Sequence, residues 1–503
     1  MKNAPLTVNG WMPQVRPQQA DALFNKALAL HQTGQLAAAL PLYEQVIQLQ
    51  PRHADALHLA GVICLQGGQA QRAADLITRA IKVDRLNASA HSNRGAACEA
   101  LGQFDLAMLN YNKAIELKPE LDSAWNNRAG LMMKLERNED ALADVNRALS
   151  IQPDSFEAHN NRGNALSRMR RYAEATPSYE RAVQLNPQST AARWNLGMHL
   201  LRLGDFAGGW QHAEARLDHW RARGWQGERG GDRLTAQTPL EGATVLLYKE
   251  QGLGDTIQFS RYARVLHERG AQVVLEVQPE LAELLAPLYP FAQVVSDGQA
   301  LPAFTHSCPL LSAPLACQTT LDTIPAVDTG LRAPTPATDL WRERIGPRTQ
   351  PRVGVVWSGN AQHIDDAARS IPLATFQPLL VPGVEWVSLQ PTVRDADAPV
   401  LATLPALRHF GAELRTFSDT AALIEQLDLV VCVDTSVAHL AATLGKPVWL
   451  LLPFNADWRW LTDRSDTPWY PGMTLYRQSS RGDWPELLER VGADLRARFD
   501  LNP

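Results

Sequence analysis

The stretch ASAHSNRGAACEALGQFDLAMLNYNKAIELKPEL, Ala88–Leu121, spans 34 residues, and its spacing recurs on both sides. Stepping by that length from Gly95 reaches Gly61 and Ala27 upstream and Ala129, Gly163 and Gly197 downstream. From Ala107 the same step reaches Ala39, Ala73, Ala141 and Ala175. A third ladder, Tyr43, Ile77, Tyr111, Val145 and Tyr179, is large and apolar, and Pro51, Pro119, Pro153 and Pro187 close four of the units. One period shared by small and large residues marks a repeated supersecondary unit. The small residues let two antiparallel helices approach, the large residue fills the gap beside them, and proline stops the second helix.

This pattern resembles the tetratricopeptide repeat. Five full units run from about Ala20 to Pro187, and a sixth begins near Thr190. The sixth departs from the pattern at Gly208-Gly209-Trp210, so it is expected to act as a cap or a join. Residues 17–222 are read as an α superhelical solenoid, and residues 1–16, without an apolar run, as a disordered tail. Such an array presents a concave surface whose usual work is holding an extended peptide or a partner helix. Asn25, Asn93, Asn127, Asn161 and Asn195 share one repeat position, with Leu59 breaking the series. An amide both donates and accepts, so a row of them suits a peptide backbone; tying the turns together is the competing role. Arg94, Arg128 and Arg162 follow three of these asparagines, either as solvated arginines or as contacts for an acidic peptide.

The chain has 503 residues, too many for one core. With 45% apolar and 20% charged residues it is not a wholly disordered chain. A net charge of −5, from 48 basic and 53 acidic residues, lacks the global basic footprint of a nucleic-acid binder, and no nucleic-acid partner is expected. Five cysteines at scattered spacings, with no C-x-x-C pair, indicate neither a disulfide framework nor a zinc site. The strongest apolar run, Val448–Phe454, is far below the ~20 residues that span a bilayer. A cytoplasmic protein without a membrane span is the expectation.

Residues 223–242, rich in Gly, Arg and Asp, read as a linker. Beyond them short apolar runs alternate with helical segments. Strands are expected at Thr244–Tyr248, Gln272–Val277, Gln293–Ser296, Arg352–Trp357, Val384–Leu389, Asp428–Val433 and Val448–Leu452. Runs apolar on both faces mean parallel sheets covered by helices, hence two α/β units, residues 243–336 and 337–480, with a cleft between them and a C-terminal helix in residues 481–503.

In open α/β sheets, ligands bind outside the carboxyl ends of the strands. The first strand is followed by Gln251-Gly252-Leu253-Gly254-Asp255-Thr256, glycines at a strand-to-helix turn that suit an approaching anion, with Asp255 otherwise a helix cap. The strand Arg352–Trp357 ends in Ser358-Gly359-Asn360, with Arg369 a short loop away. The strand Asp428–Val433 ends in Asp434-Thr435-Ser436, opening a helix with His439 on its first turn, an anion site with a proton donor beside it. Asp365-Asp366 reads as a solvated pair rather than a metal site. Trp458, Trp460, Trp469 and Tyr470, with Arg459 and Arg464, suit either stacking on a ligand or packing of the two units.

Gly252-Leu-Gly-Asp255, Trp357-Ser-Gly-Asn360 and Asp434-Thr-Ser-Val-Ala-His439 with Gly445-Lys-Pro447 resemble the heptosyltransferases of glycosyltransferase family 9, over about Ala243 to Asp494. Joined to a repeat array, the layout also resembles protein O-GlcNAc transferases. The resemblance implies a GT-B fold of two Rossmann-like units and a nucleotide-diphosphate sugar as substrate, with no cofactor and no metal. It implies a base at Asp255 and a pyrophosphate site at Arg369, Asp434, Thr435 and His439, which with Gly252, Gly254, Ser358, Gly359, Asn360 and Ser436, read from the loops at the strand ends, make the expected donor site. It also implies a C-terminal helix that crosses back to the first unit. A helix N-terminus lowers a carboxylate pKa, so Asp255 is expected to be a weakened base. A protein acceptor held through Asn93, Asn127, Asn161 and Asn195 completes the expectation. The rivals are a non-catalytic scaffold and a lipopolysaccharide-type heptosyltransferase.

Overall fold

The computed structural model describes residues 17–222, 224, 227–362 and 366–501. The expected tail, residues 1–16, and Asp365 lie outside them. The described residues form two compact units that divide between Gln188 and Ser189.

The first unit is all helical. Its five antiparallel pairs are α1 (Pro17–Gln32) with α2 (Leu36–Leu49), α3 (Ala54–Gln66) with α4 (Ala70–Val83), α5 (Ala88–Ala100) with α6 (Phe104–Leu117), α7 (Asp122–Lys134) with α8 (Asn138–Ile151), and α9 (Phe156–Arg168) with α10 (Tyr172–Leu185). The small-to-large ladder has direct steric meaning. A Cβ on Gly61 would lie 2.5 Å from Ile77 Cγ1, on Gly95 2.6 Å from Tyr111 Cε1, and on Gly163 2.7 Å from Tyr179. In these three pairs a bare Cα lets the helices close onto the large side chain, whereas Ala27 and Ala129 fill the same position in the first and fourth pairs. A further ladder joins each pair: Gly34, Gly68, Gly102, Glu136 and Arg170 all have positive φ, from 59° to 75°. Glycine is the natural residue there, and Glu136 and Arg170 hold the left-handed turn against steric cost.

The second unit begins with the divergent repeat, now three helices: α11 (Thr190–Leu203), α12 (Phe206–Ala213) and α13 (Ala215–Ala222). Two sheets follow. The first has the order β1-β5-β2-β3-β4, with β1 Asp232–Arg233, β2 Thr244–Tyr248, β3 Gln272–Val277, β4 Ala292–Ser296 and β5 His306–Pro309. The second has the order β11-β10-β9-β6-β7-β8, with β6 Arg352–Val356, β7 Glu385–Ser388, β8 Leu407–His409, β9 Leu429–Val433, β10 Val448–Leu452 and β11 Met473–Arg477. Every pairing is parallel. Both sheets change direction once, between β2 and β5 in the first and between β6 and β9 in the second. Those switch points are where an open α/β sheet leaves a crevice.

Two expectations need correction here. The linker is not wholly linker, because β1 adds a strand to the first sheet and Leu234 enters the core. The C-terminal helix Trp484–Phe499 does not cross back. Its Leu487, Leu488, Val491 and Leu495 pack with Val353, Val431 and Leu451, the apolar face of the second sheet, which needs a cover on that side. Among the described residues no helix is long and apolar enough to cross a membrane. All five cysteines are free and buried.

Candidate active site

The helix α14 (Leu253–Phe259) starts at the switch point of the first sheet, and the helix Ser436–Thr443 starts at that of the second. They meet. A Cβ on Gly254 would sit 2.9 Å from His439 Cδ2 and 3.4 Å from Ser436 Cα, so Gly254 is what allows the contact. Its role in the structure is closure between the two sheets.

Asp255 stands third in α14 and reaches back to its start, accepting from the Gly252 N–H at 3.0 Å, the half of a capping box that a glycine N-cap allows. That N–H is thereby occupied. The other Asp255 oxygen binds Arg459 Nη2, and 21% of the Asp255 side chain remains exposed. Arg459 is the hub: its Nε donates to Gln258 Oε1 at 2.7 Å and its Nη1 to Asp457 Oδ1 at 2.9 Å. Burial pushes the Asp255 carboxyl above its ordinary pKa, against the pull of Arg459. The expected lowering of this carboxyl's pKa is thus reversed, because desolvation outweighs the helix terminus. Asp457 is held below the usual range, since Arg459 beside it outweighs burial.

The Asp434 carboxylate accepts from Trp460 Nε1 at 2.8 Å, and its backbone carbonyl accepts from Arg369 Nη1 at 3.0 Å. Burial, with Asp457 nearby, pushes Asp434 up to about 6. Thr435 is the helix N-cap residue, yet its side chain makes no capping bond. Thr435 Oγ1 and Arg369 Nε are buried and have no hydrogen-bond partner among the described residues. Such groups are rare in native interiors and call for a ligand or water. A Cβ on Gly359 would lie 2.8 Å from Arg369 Nη2, so the bare glycine cradles the guanidinium.

The rest of the Ser358-Gly359-Asn360 loop is tied to protein. Ser358 Oγ accepts from Gln390 Nε2 at 3.0 Å, the Gly359 N–H donates to Ser370 Oγ at 3.0 Å, and Asn360 Oδ1 accepts from the Gln362 N–H at 3.0 Å. Asp366 was expected on the surface. It is buried, accepting from Ser370 Oγ at 2.9 Å and from Arg394, so it anchors this loop.

His439 needs a correction of charge. Its Nδ1 is 2.9 Å from the Tyr470 hydroxyl, its ring stacks on Trp460, and burial together with Arg459 and Arg261 lowers its pKa to about 3. It is neutral at physiological pH and serves as a hydrogen-bonding ring rather than a proton donor. The unfolded chain takes up this proton near pH 6.5 and the folded chain only near 3, so stability falls as pH drops through that window. His439→Gln removes this linkage. Urea midpoints at pH 7, 6 and 5 should show the native protein losing ground to the variant by up to about 1.4 kcal/mol per pH unit. A pH-independent difference would mean that the ring titrates normally in the fold.

Trp458, Trp460 and Trp469 pack the unit together. Trp469 stacks on Phe206 at 5.8 Å and meets Phe259 edge-on at 5.7 Å. Arg464 pairs with Asp466. Sequence reading named Arg459 but missed its hold on Asp255, along with Asp457, Gln258, Gln390 and Arg394. The signal was Asp457-Trp-Arg459-Trp following β10, again at a strand's carboxyl end.

In the first unit, Asn93 Nδ2 lies 2.8 Å from His58 Nε2, Asn127 Nδ2 donates to Ser92 Oγ at 3.3 Å, and Asn161 Nδ2 donates to Asn126 Oδ1 at 2.9 Å. Each bond links the first helix of one repeat to that of the repeat before. Asn127 and Asn161, with Glu99, Tyr111 and Lys134, also line a groove of about 280 Å³. Asn195 belongs to α11 in the second unit. Arg128 forms a bidentate pair with Asp144 at 2.7 and 2.8 Å, and Arg162 donates to Ser178 Oγ at 2.6 Å, so both brace helix pairs.

The chain joins tetratricopeptide repeats to a part that contains a short segment similar to a glycosyltransferase family. Residues 30–94, 88–121 and 156–189 match tetratricopeptide repeat models, and residues 414–451, which hold β9 and the helix bearing His439, match glycosyltransferase family 9 (heptosyltransferase). Protein FlbA of Caulobacter vibrioides is 24% identical over 322 residues, 58% of this chain and 53% of FlbA, so the chain spans about half of that relative. Among solved structures, a thermophilic tetratricopeptide protein of Thermus thermophilus, TTC0263, is 20% identical, with 36% of this chain and 99% of that one covered at a TM-score of 0.34. PilF of Pseudomonas aeruginosa is 18% identical, with 42% and 94% covered at a TM-score of 0.34.

Proposed function

We propose that this chain is a cytoplasmic glycosyltransferase that moves a sugar from a nucleotide-diphosphate donor to a hydroxyl of a protein held by the repeats, with inversion and without a metal. The observation that supports the reading is a pair of buried groups, Thr435 Oγ1 and Arg369 Nε, that have no hydrogen-bond partner among the described residues and lie beside the N-terminus of the helix Ser436–Thr443. A diphosphate supplies the acceptors both lack, and the helix terminus favours its charge. Asp255 takes the proton of the acceptor hydroxyl as its oxygen attacks the anomeric carbon. The bond from that carbon to the phosphate oxygen breaks, and the leaving diphosphate is met by Arg369, Thr435 and the helix N–H groups. His439, neutral, contributes a hydrogen bond at most.

The test is a screen of the full chain against UDP-, GDP-, ADP-, dTDP- and CMP-sugars for binding and for slow donor hydrolysis. One nucleotide-diphosphate sugar should bind and hydrolyse. A protein that binds none is a scaffold, and one that takes only the CMP class refutes the diphosphate site.

The acceptor half of the reading rests on the groove with Asn127 and Asn161. Replacing Asn93, Asn127 and Asn161 together by Ala should lower transfer to a protein acceptor several-fold and leave donor hydrolysis unchanged. The array should also melt lower, since three bonds of about 0.5–1.5 kcal/mol each are lost. Transfer that is unaltered well below the melt would place acceptor recognition elsewhere.

A further inference from the structure

The divergent repeat lies in the same compact unit as the two sheets, and its side chains reach both partners of the Asp255–Arg459 pair through their neighbours. On one side is Arg216, the second residue of α13, 3% exposed. Its Nη2 and Nε donate to Glu250 Oε1 and Oε2 at 2.8 and 3.1 Å, and the Glu250 side chain is fully buried. Arg216 also donates to Ser312 Oγ at 2.7 Å, while the Leu311 N–H donates to Glu250 at 2.8 Å. Glu250 lies two residues before Gly252, so this network fixes the base of the loop whose end is Asp255. On the other side, Phe206 and Trp210 pack edge-on against Trp458, the neighbour of Arg459, at 6.3 and 5.1 Å. Trp210 also meets Phe259, the last residue of α14, at 6.4 Å. The Trp210 indole N–H donates to the Thr319 carbonyl at 3.1 Å.

We infer that α11–α13 is a positioning clamp for the proposed base, with Arg216 as the positioning residue that sets the glycine loop through Glu250. A buried ion pair is a poor source of stability but fixes one geometry, which is what a loop carrying a base requires. The inference rests on the reading of Asp255 given above, whereas the exchange measurement below stands without it.

The test uses the full chain with two variants, because removing Arg216 alone strands a buried charge. The double variant Arg216→Met with Glu250→Leu replaces the pair by apolar groups of similar volume and leaves Glu214, the second carboxylate on Arg216, to Arg233 and Ser312, and Glu250→Gln keeps the shape without the charge. Hydrogen exchange should speed up by about tenfold or more in residues 249–259 in either variant and stay unchanged in residues 436–443. For whichever donor the screen finds, kcat of hydrolysis should fall with KM held, and the acid limb of the pH profile should move. Unchanged exchange in residues 249–259, or an equal rise throughout the unit, overturns the inference. So does faster local exchange with unaltered kcat. If the native protein hydrolyses no donor while local exchange still rises in the variants, the proposed function fails and the loop restraint stands.

Discussion

Asp255→Asn should cut sugar transfer by about 10²–10⁴-fold while the donor still binds within about twofold of the native protein. Asparagine keeps the size of the side chain and an oxygen for the Gly252 N–H, so the start of α14 is retained. What it loses is the ability to hold a proton. Arg459 is not stranded by the change, since Asp457 and Gln258 still accept from it. A modest fall in melting temperature is therefore expected, well short of the about 3–5 kcal/mol that accompanies a buried charge left alone. Because burial raises the Asp255 pKa, the native rate should fall on the acid side at a pH above 3.8, and that limb should vanish in the variant. Near-normal turnover would make Asp255 a capping residue only and move the base elsewhere.

Arg369→Ala should weaken donor affinity by about tenfold to hundredfold, the equivalent of about 1.5–3 kcal/mol for charge-assisted bonds. The guanidinium is 17% exposed, rests over Gly359 and spends one donor on the Asp434 carbonyl. Among the described residues its ion-pair partner is Asp366, a loose contact at 3.7 Å to a carboxylate already bound by Ser370 and Arg394. Titration of donor into the variant reads the loss directly. Arg369→Lys should recover part of it, as a point charge without the planar fork. An unchanged dissociation constant in the Ala variant would remove the diphosphate from this end of the sheet.

The repeat half was legible because its information is local. Gly61 and Ile77, or Gly95 and Tyr111, are 16 residues apart and meet through one turn, so a period in the sequence is a contact in space. All seven expected strands exist, since buried parallel strands announce themselves as apolar runs. The four that were missed carry weaker signals: β1 has two residues, β8 has three, β5 ends in Pro309, and β11 alternates. At the site, the loops after β2, β6 and β9 could be located because strand ends can be located. The partners could not. Arg459 holds Asp255 across 204 positions, and nothing in either neighbourhood encodes the other. The charge of His439 was misjudged because the aromatic rings that bury it, Trp460 and Tyr470, come from beyond β10 and not from its own helix. The left-handed ladder was obscured where Glu136 and Arg170 stand in place of glycine.

The aromatic seam between α12 and the second sheet has a consequence for synthesis. The five repeats contact near neighbours along the chain and can fold as they emerge. Phe206 and Trp210 cannot, because Trp458 and Trp469 follow about 250 residues later, roughly 12–50 s at ribosomal rates of about 5–20 residues per second. For that interval the nascent chain displays a greasy helix behind an already finished solenoid. The same residues that bind the mature unit together are, at the ribosome, an apolar surface open to chaperones and to other nascent chains.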